Sequence, residues 1–169
     1  GYHMGEHGHY QKTTLFENSD RVPLVIAGPG VTARGTTHRH PVEMVDFYRT
    51  LADLCELKTP GTVTGLSLAP ALVKPSRAIR SSALTQYSSG YSLRTARYRY
   101  TEWGQDGAGG AELYDRYEDP EELVNLADRE EMAATQKGLS GLLRERVSTA
   151  RQKPKGLVQI EFKNRRRVR

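Results

Sequence analysis

Apolar residues in this chain fall into three kinds of pattern. Val22-Pro23-Leu24-Val25-Ile26-Ala27 is an unbroken apolar run closed by Gly28-Pro29-Gly30, which predicts a strand buried on both faces. Pro23 has no N–H to give a ladder, so it belongs among the strand's first residues. From Pro41 the period changes: Met44, Tyr48, Leu51 and Cys55 recur every three or four residues, with Val45 and Ala52 beside them. That spacing predicts a helix with Pro41 in its first turn and one face packed on a sheet, Cys55 being buried in the stripe as a small apolar residue. Pro60 to Arg80 is rich in Pro, Gly, Ser and Thr and reads as a connection. Four short strands are then predicted at Ser82–Tyr87, Tyr91–Thr95, Tyr98–Trp103 and Ala111–Tyr114, and their closeness along the chain favours antiparallel pairing. Asp119-Pro120-Glu121-Glu122 places a cap, a Pro and two acids where a helix or turn would start. A last helix over Asp128–Gln152 aligns Met132, Leu139, Leu142, Leu143 and Val147 on one side, although Gly138 and Gly141 weaken it. The first strand, loop and helix suggest the edge of an α/β layer.

Composition adds limits. With 169 residues, 37% hydrophobic and 27% charged, the chain can bury one core beneath a polar surface. No apolar run nears the roughly 20 residues that span a bilayer, and a single Cys excludes an internal disulfide. The net charge of +5 is matched by the five cations of Lys163-Asn164-Arg165-Arg166-Arg167-Val168-Arg169. Such a tail would attract any polyanion, but a solvated end is the simpler reading and no specific nucleic-acid partner follows. Arg94, Arg97 and Arg99 alternate with Tyr98 and Tyr100 on a strand, and a solvated strand face is the default for them. Trp103 reads as core rather than as a sugar platform.

Candidate chemistry is concentrated in Gly1 to Glu17, GYHMGEHGHYQKTTLFE, where His3, Glu6, His7, His9 and Lys12 are set among three glycines. Glycines allow sharp turns and close approach, and the side chains are those of anion or metal sites. His3-Met4-Gly5-Glu6-His7 spells H-x-x-E-H, but zinc-protease chemistry needs that pattern on a helix, which Gly1, Gly5 and Gly8 oppose.

This run, followed by R-V-P-L-V-I-A-G-P-G, resembles the sulfatase family of the alkaline-phosphatase superfamily. The likeness continues through V-E-M-V-D-F-Y-R-T-L-A-D-L, G-L-S-L-A-P-A-L, Y-S-L-R-T-A-R-Y-R-Y-T-E-W and E-L-Y-D-R-Y-E-D-P-E-E-L-V-N-L-A, and the R-T-x-x-Y-R-Y-T-x-W wording is most similar to the iduronate-2-sulfatase-like branch. The resemblance implies an α/β fold in which residues 1–80 end a large mixed-sheet catalytic domain. Residues 81–152 would form a smaller antiparallel subdomain, and 153–169 a basic tail. It implies hydrolysis of sulfate esters, of a sulfated small molecule or glycan, by a formylglycine nucleophile upstream of this chain, with a divalent metal, usually calcium. Lys12 matches the lysine that reaches the sulfate group and the nucleophile. Tyr2, His3 and His9 are read either as lining the pocket beside it or as plain surface loop residues, and Glu6 and His7 as supports that hold the loop and orient metal ligands from the upstream segment; no metal ligand is assigned within the chain. Val73-Lys74-Pro75-Ser76-Arg77 imitates the family's nucleophile segment, but Val73 cannot become an aldehyde. The chain is therefore expected to be a C-terminal fragment, inactive alone and periplasmic, secreted or lysosomal in origin. A phosphatase or phosphonate hydrolase of the same superfamily is the enzymatic rival, and a polyanion-binding module the nonenzymatic one.

Overall fold

The computed structural model describes residues 1–157, so most of the basic tail lies outside it. At its centre, β1 (Ser82–Tyr87), β2 (Gly90–Thr95), β3 (Tyr98–Trp103) and β4 (Ala111–Asp115) form one antiparallel meander in the order β1-β2-β3-β4. Leu93 pairs with Tyr100, and Tyr100 with Leu113.

Strand alternation gives this sheet two unlike faces. Leu84, Leu93, Tyr100 and Leu113 point to one side, where Leu139 and Leu143 of the helix Ala133–Ala150 close the core together with Ala127. Fully burying a Leu stabilises a fold by about 1.5–3 kcal/mol, so this layer supplies much of the driving force. Ser92, Arg94, Arg99, Thr101 and Trp103 point to the other side, toward the N-terminal segment. The final helix is preceded by a 3-10 turn, Glu130–Met132. Its glycines 138 and 141 face open space, consistent with a helix held by its apolar side.

The N-terminal half contains three helices, which we number α1 (Glu17–Asp20), α2 (Asp46–Leu54) and α3 (Ala69–Val73); the final helix is α4. Two expectations are corrected by the structure. Val22–Ala27 is not a strand: the run has no ladder partner, and Val25 is 87% exposed. The predicted stripe on α2 faces outward, with Met44 73% exposed and Tyr48, Leu51 and Cys55 exposed as well. Asp46 and Thr50 are buried instead, and of the expected face only Ala52 is buried with them.

Hydrogen bonding explains the inversion of α2. Arg80 Nε donates to Asp46 Oδ2 at 2.8 Å and the Leu66 N–H to Oδ1 at 2.8 Å, while Thr50 receives the Leu68 N–H at 2.9 Å. Burial would raise the Asp46 carboxyl, but the Arg80 hydrogen bond and two backbone N–H groups carry it below its usual range. Enclosing that pair turns the polar face inward. Residues 119–122 make a turn, one of the two forms expected of them, with the Asp119 carboxylate accepting the Val124 N–H at 2.8 Å.

Candidate functional site

The first seventeen residues fold back on themselves as a loop. His3 N–H donates to the Gln11 carbonyl at 2.9 Å, Gly5 N–H to His9 at 3.0 Å and His9 N–H to Glu6 at 3.0 Å. Gly5 has φ 122° and His7 φ 53°, so the segment cannot be a regular helix and H-x-x-E-H does not acquire protease geometry. Glu6 accepts the Met4 N–H at 2.6 Å, which holds its carboxyl below the usual range and pins the turn.

His3 is the centre of this loop and is fully buried. Its Nε2 lies 2.8 Å from Thr14 Oγ1, which in turn lies 2.7 Å from Ser19 Oγ, and its Nδ1 is 3.2 Å from the Glu6 carbonyl. His7 stacks on Phe16 with centroids 3.9 Å apart, and both His7 and His9 meet the His3 ring edge-on. Tyr2 is exposed and donates its hydroxyl to the Tyr10 carbonyl at 2.8 Å. Lys12 is exposed and makes no ion pair among the described residues. Gln11, just before it, is fastened through His3 N–H, and Thr14, two residues after it, through His3 Nε2. The loop thus presents a cation to solvent on a backbone held beneath it.

Below the loop lies a charge cluster that residue patterns alone do not reveal. Arg99 is only 1% exposed, which corrects the solvated face expected for it. Its Nε donates to Glu122 Oε1 at 2.7 Å, Nη2 to Glu17 Oε2 at 2.7 Å, and Nη1 to Asp20 Oδ2 at 2.9 Å and Ser92 Oγ at 3.2 Å. Arg94 and Arg116 also reach Glu17, at 2.9 and 3.1 Å. Glu122 Oε2 accepts the Glu17 N–H at 2.8 Å and so caps α1. Arg97, by contrast, is half-exposed and pairs with Asp115. The alternation of arginines marked a common face, but the acids that bury Arg99 are distant in sequence.

No group of three or more His, Cys, Asp or Glu residues is placed to hold a metal ion among the described residues. The buried carboxylates of Asp46 and Glu122 and the partly buried ones of Glu17 and Asp20 are already taken by arginines, so they do not fit a divalent metal.

With this geometry in place, likeness to known proteins is informative. The family described as N-sulphoglucosamine sulphohydrolase, C-terminal, matches residues 5–150. The chain belongs to the sulfatase family. Arylsulfatase K of Gallus gallus is 31% identical over 135 residues, covering 72% of this chain and 25% of that protein. An N-acetylglucosamine-6-O-sulfatase of Bacteroides thetaiotaomicron is 30% identical over 157 residues, covering 86% and 28%. A solved structure described as in complex with its substrate D-glucosamine-2-N,6-O-disulfate superposes with a TM-score of 0.77 at 27% identity, covering 93% of this chain and 34% of that one. The chain thus spans little more than a quarter of the length of these curated sulfatases. Among the described residues no helix is long and apolar enough to cross a membrane. The α/β architecture with a four-stranded antiparallel sheet is that of sulfatases.

Proposed function

We propose that this chain forms the C-terminal part of a sulfatase acting on sulfate esters of an amino sugar or of a glycan built from one. The match of residues 5–150 to the sulfatase C-terminal family carries the reading, and the D-glucosamine-2-N,6-O-disulfate of the solved relative suggests the substrate class. Residues 1–80 would complete the catalytic α/β domain, and residues 81–152 would buttress it. Lys12 would place its ammonium against the sulfate oxygens, neutralising charge that grows toward the leaving oxygen in the transition state. Tyr2, exposed on the same loop, would contact the sugar. His3, Glu6 and His7 would set the loop's shape, with His3 as its buried centre.

The family's formylglycine and divalent metal, which we take to be calcium, would come from outside this chain. In keeping with that, its own buried acids are occupied by arginine. Secretion or residence in a lysosome-like compartment suits such a hydrolase. The test is Lys12→Ala in the complete enzyme, with an aryl sulfate as substrate. Turnover should fall about 100-fold, about 3 kcal/mol, at unchanged thermal stability. Undiminished turnover would remove Lys12 from the site.

A further inference from the structure

We propose that Arg99 is a positioning residue for Lys12, the link through which the sheet fixes the sulfate-contacting loop. This rests on the reading of Lys12 given above. The path is continuous in space. Arg99 projects from β3 and grips both ends of α1, Glu17 by Nη2 at 2.7 Å and Asp20 by Nη1 at 2.9 Å. It also orients Glu122, whose second oxygen holds the Glu17 N–H. One residue before α1, Phe16 stacks on His7 and leans on Tyr114 of β4. Within α1, Ser19 bonds Thr14, and Thr14 bonds His3, whose N–H holds Gln11 beside Lys12. Each step is a hydrogen bond or a ring contact, and each member except Phe16 and His7 is fixed by a directional polar group.

The chemistry of the cluster suits positioning better than adhesion alone. A guanidinium presents a planar fork of donors, so three carboxylates are held at set angles and α1 cannot slide along the sheet. A buried ion cluster adds little net stability over an apolar replacement, but it specifies one arrangement. Glu122 adopts φ 59°, a conformation that costs energy for any side chain with a Cβ, and it is 1% exposed. The backbone there is bent to deliver a carboxylate to Arg99 and to the first N–H of α1.

Hydrogen exchange of the full chain provides the first test, using Arg99→Lys, Arg99→Met and Asp20→Ala, which removes the Arg99 contact altogether. Positioning predicts that the His3, Gly5 and His9 amides exchange at least about tenfold faster in each variant, while Leu93 and Tyr100 amides change by less than about threefold. If Arg99→Met fails to fold, Arg99→Lys and Asp20→Ala still decide. Equal acceleration of loop and sheet amides, or an unaltered loop, would overturn the proposal.

A double-mutant cycle in the complete sulfatase provides the second test, with 4-nitrocatechol sulfate as probe. Asp20→Ala should lower kcat about tenfold with little change in KM, and should cost little more when Lys12→Ala is already present. Additive losses would overturn the coupling. Should Lys12→Ala alone leave kcat intact, the sulfate role of Lys12 falls, and the exchange result still decides whether Arg99 fixes the loop.

Discussion

At the scale of single residues, Glu17 is where the cluster meets solution conditions. Burial alone would raise its carboxyl, but the Arg94 hydrogen bond and the charges of Arg94, Arg99 and Arg116 hold it at about 2, against an ordinary 4.5. A group depressed in the folded state stabilises the fold fully above its unfolded value, and loses that contribution as pH falls through the folded one. Between pH 4.5 and 2, Glu17→Gln should therefore show a flatter decline of Tm than the parent, and it should be less stable at pH 7. Thermal unfolding across that window measures both effects, and parallel Tm curves would count against the ion cluster. Asp20 is opposite in sign: burial outweighs Arg99 and pushes its carboxyl up. Its neutral form is favoured by folding, so it gains rather than loses stabilisation as pH falls through its folded value. The arginine alternation was legible from the sequence because it is a local pattern. The partners of Arg99 were not, because Glu17 and Glu122 lie 82 and 23 residues away and nothing local pairs them.

Among elements, the strands were the most readable, because short period-two runs separated by turns leave few alternatives. The helix α2 was misread in its facing although not in its existence. Periodicity reports that a helix has two sides, but which side turns inward depended on Arg80 waiting for Asp46. The same dependence on a neighbour governs β2. A Cβ built on Gly90 would come within 2.6 Å of the Trp103 ring and 2.9 Å of Leu15 Cδ1. Gly90→Ala should therefore destabilise the protein by about 1–3 kcal/mol through overpacking, seen as a lower Tm by calorimetry. An unchanged Tm would mean that Leu15 does not sit against this strand. On the other face, Leu143→Ala should cost about 2–5 kcal/mol, because Leu143 is buried where α4 meets the sheet.

For the molecule as a whole, the sheet divides two tasks between its faces, apolar packing toward α4 and charged anchoring toward the N-terminal segment. Exposed large apolar groups concentrate elsewhere, at Val22, Leu24 and Val25 and around α2 at Met44, Tyr48, Leu51 and Leu57. Such a surface invites association. Sedimentation velocity should show concentration-dependent self-association that the double variant Val25→Lys, Leu51→Lys relieves, and amides 22–27 should exchange far faster than 98–103. Equal protection of both segments in a monodisperse monomer would contradict this division. That asymmetry also explains why an apolar run could be read as a strand and yet not form one: a strand needs a neighbouring ladder, which residue composition does not specify. The anchored face carries one more consequence. Trp103 is the chain's single tryptophan; its ring rests by Gly90 and Leu15, and its indole N–H donates to Glu112 at 2.9 Å. Its fluorescence is therefore an unlabelled gauge of whether the N-terminal segment is seated, and peeling that segment away while the sheet stays intact would shift the emission before the far-ultraviolet dichroism changes.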